Sequence, residues 1–367
     1  MKAVGIICEY NPFHNGHVYH INKIKELYKD YVIVLIMSGH FTERGEISLH
    51  NKWEKTHFAL ETGVDIVVEL PFSFATQSAD IFSYGAIKIL NEFNIEYLIF
   101  GSECNDINLL QEIASNQNEL DIKKYLDIGY NYPTALAKSI KDKTGNELNG
   151  PNDLLGISYI KAINNINPSI IPITIKRTND YHNSDIENNI ISASTIRTLL
   201  KENKDIKKYI PGYVSIPKYI DQNNYFSLFK YKVLTEDDLS IYMGVDEGIE
   251  NLIKKIIVNC YNFDDFIKNI KSKRYTYNRL SRMYIHILCN YTKQENEIYK
   301  NIFYIRLLGF SKNGQKYLNK VKKEFTIPLI SKYNKHDETM LKLDLRATKV
   351  YDINLLNKEY QNKIEKV

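Results

Sequence analysis

The chain has 367 residues, a formal net charge of +4 and 44% hydrophobic residues, which is enough to build two domains with separate cores. No apolar run reaches the length of a membrane span, and the first residues read directly into a strand, without a signal peptide. This pattern argues against a membrane or secreted protein and predicts a soluble cytoplasmic one, with neither a membrane nor a protein partner implied. Four cysteines without CxxC spacing predict reduced thiols and no metal site: Cys8, Cys104, Cys260 and Cys289.

The first half alternates apolar runs with amphipathic stretches. Strands are predicted at residues 3–8, 31–37, 65–70, 97–100 and 170–176, and helices at 16–29, 51–62, 79–92 and 151–165. This order predicts a parallel sheet with right-handed crossovers, whose ligands lie beyond the carboxyl ends of the strands. Because His14–His17, Ser38-Gly39 and Gly101-Ser102 all follow strand ends, we expect them to line one crevice.

The first motif is His14-Asn15-Gly16-His17, directly after the first apolar strand. The first N–H groups of the helix that begins there have no intrahelical partner, and the positive end of the helix dipole faces the loop. Such a helix start binds anions, the two histidines add donors, and Gly16 lets phosphate oxygens approach the backbone. Histidines near a helix start are equally compatible with ordinary surface positions.

The second motif, residues 191–197, has the sequence Ile-Ser-Ala-Ser-Thr-Ile-Arg and begins another helix. A Ser or Thr at the N-cap, followed by an Arg one turn later, makes a second anion-receptive helix start. Arg197 can hold a phosphate through two parallel hydrogen bonds, which a lysine cannot reproduce. Alone, the motif also fits a capped helix with a surface arginine.

The charge is distributed unevenly along the chain. Residues 1–217 carry a net charge of −5 and residues 218–367 a net charge of +9, with 14 basic and 2 acidic residues between 268 and 323. A helix predicted at 272–291 places Tyr275, Arg279, Arg282 and His286 on one face, an arrangement suited to RNA phosphates and an unstacked base. We therefore predict a Rossmann-like parallel-sheet domain at 1–217 and a mainly helical, basic domain at 218–367. A solvated lysine-rich surface is the alternative interpretation of the charge.

Together the two motifs resemble the HxGH nucleotidyltransferases, and further segments resemble the bacterial tRNA(Met) cytidine acetate ligase family. The resemblance lies in residues 3–17, 38–41, 44–46, 100–103, 151–156, Tyr181-His182, 273–276 and 345–348. Glu43 stands where the family pattern has an amide, and Ile47 where it has a proline.

The resemblance implies that the protein activates acetate with ATP accompanied by Mg²⁺, and acetylates N4 of the wobble cytidine of elongator tRNA(Met). It implies catalytic roles for His14 and His17 at the α-phosphate, and for Ser194 and Arg197 with Thr195 at the β- and γ-phosphates. The remaining implied ATP contacts are Ile7, Glu9, Asn11, Phe13, Gly16, His20, Gly101, Asn152 and Arg177. The expected tRNA contacts are Lys273, Arg274, Tyr275, Arg279 and Arg282.

Two other functions compete with the ligase. A small-molecule adenylyltransferase of the coenzyme A or NAD pathway type is usually complete within its first domain, so a further 150 basic residues argue against it. A non-catalytic RNA-binding protein is disfavoured by the intact His14, His17, Ser194 and Arg197. The base for acetyl transfer stays open, with Glu9, Glu46 and Asp80 as candidates.

Overall fold

The computed structural model describes residues 1–116, 121–130, 132–145, 148, 150–177, 189–333, 339–361 and 364–367. Within them eight strands form one sheet: β1 (Lys2–Cys8), β2 (Tyr31–Ser38), β3 (Ile66–Leu70), β4 (Tyr97–Ser102), β5 (Ile171–Lys176), β6 (Ile305–Phe310), β7 (Leu329–Ile330) and β8 (Glu365–Lys366). The order is β5-β4-β1-β2-β3-β6-β7, and β8 also pairs with β6. The first five strands are parallel to one another, as predicted.

Helices cover both faces of the sheet. They are α1 (Asn15–Leu27), α2 (Lys52–Thr62), α3 (Phe72–Ala75), α4 (Ala79–Glu92), α5 (Ile107–Ser115), α6 (Ile122–Asp127), α7 (Tyr132–Thr144), α8 (Pro151–Ile166), α9 (Ala193–Lys201), α10 (Phe226–Thr235), α11 (Ile249–Ile257), α12 (Phe263–Ile270), α13 (Tyr277–Leu288), α14 (Lys293–Ile298), α15 (Lys312–Val321), α16 (Thr339–Tyr351) and α17 (Leu356–Gln361). Among the described helices none has both the length and the apolar character needed to span a membrane.

The strand order creates a switch point between β1 and β4. The chain runs from β1 through β2 to β3 on one side and then returns to place β4 on the other side of β1. Ligands of open α/β sheets bind at such a point, beyond the carboxyl ends of the strands. The loop that holds His14 follows β1, and the Gly101–Ser102 segment ends β4. The His14–His17 motif and the Gly101–Ser102 segment therefore flank the switch point.

Alternate residues of the central strands supply two cores. Val32, Val34 and Ile36 of β2 pack on the face that also receives α4, α8 and the helices after residue 225. Ile33 and Leu35 pack on the opposite face, against α1, α2 and α9. The continuous apolar character of β2 is typical of a parallel strand buried on both faces.

Strand β6 was not predicted, and it lies antiparallel to β3. Its sequence contains Arg306, which is 1% exposed and bonds through Nη2 to Glu359 at 3.1 Å. Lys52 donates to the same Glu359 at 2.6 Å and to Glu69 at 2.8 Å. The predicted fold class is confirmed. However, one sheet contains strands from both sides of residue 217, and buried ion pairs also connect the two parts of the chain. The functional division at 217 stays a prediction.

Candidate nucleotide-binding and catalytic site

The two histidines of the first motif form a reciprocal cap at the start of α1. His14 is the N-cap residue, and its Nδ1 accepts a hydrogen bond from the Gly16 amide at 3.0 Å. The His14 amide donates to Nδ1 of His17 at 3.2 Å, and the two ring centroids lie 3.9 Å apart. Histidine thus replaces both the Ser or Thr and the Glu or Gln of the usual capping box.

This cap fixes the protonation of both rings. Since each Nδ1 accepts a hydrogen bond, a neutral ring carries its proton on Nε2, which is then its remaining donor. Burial lowers the pKa of His14 to about 3, assisted by the charges of Arg177 and Arg197. Burial lowers the pKa of His17 well below its usual value, with further lowering from His14 and Arg177. At neutral pH the site therefore presents two neutral N–H donors at a helix N-terminus.

Small and polar neighbours hold the histidine pair in place. A Cβ on Gly16 would lie 2.7 Å from Cε1 of His14, so a larger residue would displace that ring. Asn15 donates to the carbonyls of Asn189 and Lys208 at 3.0 and 2.9 Å, which ties α1 to the segments on either side of α9. His20 follows one turn after His17, and burial lowers its pKa to about 4.

The loop before His14 has a supporting structure beneath the predicted ATP site. Ile7 and Phe13 lie in the core, at 9% and 0% exposure. Glu9 accepts from the Glu43 amide at 2.6 Å, and burial raises its pKa to about 7. The Asn11 side chain accepts from the amide of Leu49 at 2.9 Å. These contacts connect the His14 loop to residues 42–49, and direct ATP contacts from these side chains stay a prediction.

The second motif begins α9 next to the same loop. Ser192 is the N-cap and accepts from the Thr195 amide at 3.1 Å, while its hydroxyl lies 2.8 Å from those of Ser194 and Thr195. Arg197 donates from Nη1 to the Asn11 carbonyl at 2.7 Å and from Nη2 to Glu46 at 3.1 Å. Both predicted anion-binding helix starts therefore meet at the loop after β1.

The end of β4 contributes a third group of polar side chains. Glu103 accepts from the amides of Asn152 and Asp153 at 3.1 and 3.0 Å and from the side-chain amide of Asn152, so it caps α8. Arg177 lies 3.8 Å from the same carboxylate, at the end of the neighbouring strand β5. A Cβ on Gly101 would lie 3.2 Å from Cγ of Arg177, so the glycine leaves room for that side chain.

Two functional positions were missed in the sequence. Glu103 lies at the end of a strand, in the segment 100–103 that resembles the family. That position is the signal that could have identified it as the residue that anchors Asn152 and Arg177. Lys55 is 0% exposed, and its ammonium bonds to the carbonyls of Glu9, Ser38 and Gly39 at 2.9, 2.8 and 2.6 Å. It joins the loops after β1 and β2, and its only sequence signal is a lysine on the buried face of α2.

The predicted basic face of α13 differs from the expectation. The helix begins at Tyr277, so Tyr275 precedes it and lies buried at 8% exposure, donating to the Asp246 carbonyl. His286 is also buried, at 2% exposure, between Thr76 and Met243. Both were expected to be displayed together with the arginines, and that arrangement was wrong because the core absorbs their rings.

The arginines near α13 pair with carboxylates of the chain itself. Arg282 bonds to Glu43 at 3.0 Å, Arg279 to Asp246 at 3.4 Å and Arg274 to Glu247 at 3.1 Å. Arg279 also lies 4.1 Å above the Tyr275 ring. Only Arg274 is largely exposed among the three, at 76% for its side chain, and Lys273 beside it is exposed. Binding of tRNA by these residues stays a prediction.

The structure separates the three candidate bases. Glu9 is half-buried in the loop after β1 and accepts from the Glu43 amide. Asp80 bonds to Lys161 and Ser158 at the start of α4. Glu46 bonds to Arg197, within the second motif, and so lies beside the predicted nucleotide site. No cluster of three His, Cys, Asp or Glu side chains among the described residues fits a metal ion. The Tyr181-His182 motif lies outside these residues.

Comparisons with known proteins agree with this geometry. A family model described as HIGH nucleotidyl transferase matches residues 1–366. A tRNA(Met) cytidine acetate ligase of Geobacillus sp. strain WCH70 is 41% identical over 364 residues, covering 92% of this chain and 91% of that one. The protein of the same name from Mycoplasma mobile is 43% identical over 300 residues, covering 79% of this chain and all of that one.

Solved structures match over the same extent. The structure of Thermotoga maritima TmcAL bound with alpha-thio ATP has a TM-score of 0.84 and 29% identity, covering 96% of this chain and 94% of that one. The apo form of the same protein has a TM-score of 0.89 and 27% identity, with both chains covered completely.

Proposed function

Because the chain belongs to the tRNA(Met) cytidine acetate ligase family, we propose that it activates acetate with ATP and acetylates N4 of the wobble cytidine of elongator tRNA(Met). The observation that carries this proposal is the meeting of the His14–His17 cap, the start of α9 and Arg177 around the switch point. This substrate places the enzyme in the cytoplasm.

In the first step an acetate oxygen attacks the α-phosphorus of ATP, the new P–O bond forms, and pyrophosphate leaves with the electrons of the broken bond. Catalysis of such a step is mainly positioning and neutralisation of charge. The Nε2–H groups of His14 and His17 donate to the α-phosphate, assisted by the positive end of the α1 dipole. Arg177 adds positive charge, since it already influences both rings.

The β- and γ-phosphates bind at the start of α9. The Ser194 amide belongs to the first turn of that helix, where N–H groups lack intrahelical partners. The Thr195 amide is taken up by the Ser192 cap, so Thr195 would contribute its hydroxyl. Arg197 uses Nη1 and Nη2 in its protein contacts and has five N–H donors in all, so it can add a phosphate contact beside Asn11 and Glu46.

Mg²⁺ is expected to enter as a complex with ATP. Apart from Glu46, which is paired with Arg197, the groups around the two helix starts are imidazole, guanidinium, hydroxyl and amide donors, which suit anions. Hard divalent cations prefer oxygen ligands. The phosphate oxygens are therefore the ligands that would hold the ion, which would neutralise phosphate charge during the reaction.

In the second step N4 of cytosine attacks the acyl carbon of acetyl-adenylate, and AMP leaves. The target nucleotide must leave the anticodon stack, at a cost of a few kcal/mol. Backbone contacts from the region after residue 217 would compensate for that cost, with the exposed Lys273 and Arg274 as the first candidates.

The test is to incubate the purified protein with ATP, Mg²⁺, labelled acetate and unmodified tRNA, and then to digest the RNA to nucleosides. Label in N4-acetylcytidine that disappears in His17→Ala supports the proposal. Unlabelled RNA, together with adenylation of a different acid, would instead support a small-molecule adenylyltransferase. No observation in the structure favours that alternative, and the relatives that match most of the chain carry the ligase name.

A further inference from the structure

A polar cleft of about 120 Å³ opens between α9 and the helices after residue 217. The residues that line it include Glu46, Arg197, Tyr219, Asp221, Asp264 and Tyr277. A buried water needs roughly 10–15 Å³ of such volume, so the cleft holds about ten atoms of similar size. This is the scale of a single pyrimidine base and is well below the roughly 300–1,000 Å³ of drug-sized ligand sites.

The walls of the cleft combine aromatic rings with hydrogen-bond acceptors. Tyr277, 37% exposed, lies at the first turn of α13, and Tyr219 is half-buried on the segment that leads to α10. The Tyr219 hydroxyl donates to Asp221 at 3.1 Å, and Asn223 donates to Asp221 and Asp264 at 3.3 Å each. Rings can stack on a base, and carboxylates accept from the exocyclic amine that distinguishes cytosine from uracil.

Arg197 connects this cleft to the nucleotide site. One of its terminal nitrogens donates to the carbonyl of Asn11, in the loop before His14, and the other donates to Glu46 on the cleft wall. Glu46 is further positioned by the loop around Gly45, whose carbonyl accepts from Gln222 at 3.0 Å and from Ser281 at 2.8 Å. The cleft is therefore built jointly by the nucleotide-binding and the basic regions.

Resting on the proposed function, we propose that this cleft receives the target cytosine and that Glu46 accepts a proton from its N4 amine. Tyr277 supplies the stacking surface, and Arg197 holds Glu46 at the junction of the cleft and the nucleotide site. Of the three candidate bases, Glu46 is the one on the wall of a cleft large enough for the substrate base.

The transfer step balances on these groups. The N4 lone pair forms a bond to the acyl carbon, the bond from that carbon to the phosphate oxygen breaks, and AMP leaves with its electron pair. One N4 proton passes to the Glu46 carboxylate and then to solvent. Glu46 is thus required for transfer to RNA and not for formation of acetyl-adenylate.

The experiment measures the two half-reactions separately in the full chain. Acetate-dependent ATP–pyrophosphate exchange reports the first step, and acetylation of tRNA reports both. Glu46→Gln keeps an oxygen acceptor for Arg197, so exchange is expected to stay within about threefold while kcat for tRNA acetylation falls on the order of 100-fold. Equal losses in both reactions would overturn the role of Glu46 as proton acceptor.

Tyr277 tests the cleft independently of proton transfer. Tyr277→Leu is expected to raise KM for tRNA about tenfold, and Tyr277→Phe to restore it, because stacking requires the ring and not the hydroxyl. Wild-type KM in Tyr277→Leu would contradict base binding in the cleft. A melting curve of each variant verifies that it is folded.

Photo-crosslinking separates failure of this proposal from failure of the proposed function. An anticodon RNA with 5-iodocytidine at the target position is irradiated with the unmodified enzyme, and adducts are located by mass spectrometry. Adducts on Tyr219 or Tyr277 support the cleft, whereas adducts confined to residues 273–275 overturn it. Absence of acetylated tRNA from the wild-type enzyme would instead reject the ligase function.

Discussion

The start of α1 and the start of α13 both carry nitrogen-rich side chains, but these side chains are used differently. At α1 the His14 and His17 rings bond only to backbone amides of their own turn, and each keeps an Nε2–H as its further donor. Around α13, Arg279 and Arg282 have carboxylate partners in the same chain. The first region is organised to receive an anion. In the second region, part of the positive charge is neutralised by ion pairs within the fold.

This difference follows from how far apart in the sequence the interacting residues lie. The α1 arrangement depends on residues at most three positions apart, so a short motif contains nearly all of the information. The arginines near α13 pair with residues from distant segments, such as Glu43, 239 positions away from Arg282. A net charge of +9 after residue 217 therefore overstates the charge that is free to bind RNA.

The largest expected effect comes from separating the two regions. A protein truncated after residue 217 would lose β6, expose the edge of β3 and remove Glu359 from Lys52, which would keep Glu69 as its partner. An exposed strand edge promotes aggregation, and so does the apolar sheet face that the helices after residue 225 cover in the full chain. We expect no soluble folded protein, as measured by gel filtration and circular dichroism.

The control for this experiment is the full chain purified in parallel. A soluble truncated protein with a cooperative melting transition would contradict the view that the sheet is shared. It would instead support two independently folding domains with a boundary near 217.

The second prediction concerns the Nε2–H donor of His17 at the start of α1. His17→Ala is expected to lower acetate-dependent ATP–pyrophosphate exchange by about 10²–10³-fold, the usual effect of removing one donor that stabilises developing charge. His57→Ala, at an exposed position of α2, is the matched control. Exchange at the wild-type rate in a folded His17→Ala protein would remove His17 from the mechanism.

The parallel strands and their neighbouring helices were predictable because their signals are local. The helix predicted at 79–92 has those bounds in the structure, and the strand predicted at 97–100 continues two residues further, to Ser102. Strand β6 was missed because Arg306 interrupts a short apolar run, and only Glu359, 53 positions later, makes its burial possible. No pattern within one window contains that pair.

The candidate site divides in the same way. His14, Gly16, His17, Ser194 and Arg197 come from motifs whose helix-capping chemistry is visible in the sequence. Glu103 and Lys55 act by anchoring loops from different strands, and that role depends on the order of strands in the sheet. The position of Tyr275 was misjudged because the helical period was extended past Thr276, the residue that caps α13.

The third prediction tests the neutrality of the α1 histidines by pH. The pKa of His14 is about 3 in the folded protein against 6.5 as its ordinary value, so the unfolded chain binds more protons below pH 6.5. Stability from this residue is present above pH 6.5 and is lost as the pH falls toward 3. Between pH 7 and pH 5 the loss is about 2 kcal/mol.

Asparagine is a good N-cap without a titrating group, so His14→Asn isolates this contribution. Its free energy of unfolding should fall about 2 kcal/mol less between pH 7 and pH 5 than that of the wild type. Urea denaturation at the two pH values gives the difference, with His57→Asn as the control. Parallel decreases in wild type and His14→Asn would mean that His14 is already protonated in the folded state.

The smallest expected effects separate exposed cations from half-buried, paired ones in the second region. Lys273 and Arg274 are exposed, so Arg274→Ala is expected to weaken tRNA binding severalfold and to reduce the slope of log K against log salt by about one. Arg282 is held by Glu43, so Arg282→Ala should leave that slope unchanged and lower the melting temperature. Fluorescence titrations between about 50 and 200 mM salt give both slopes. An equal reduction by Arg282→Ala would mean that Arg282 exchanges Glu43 for a tRNA phosphate on binding, and the half-buried and exposed cations would then form one surface.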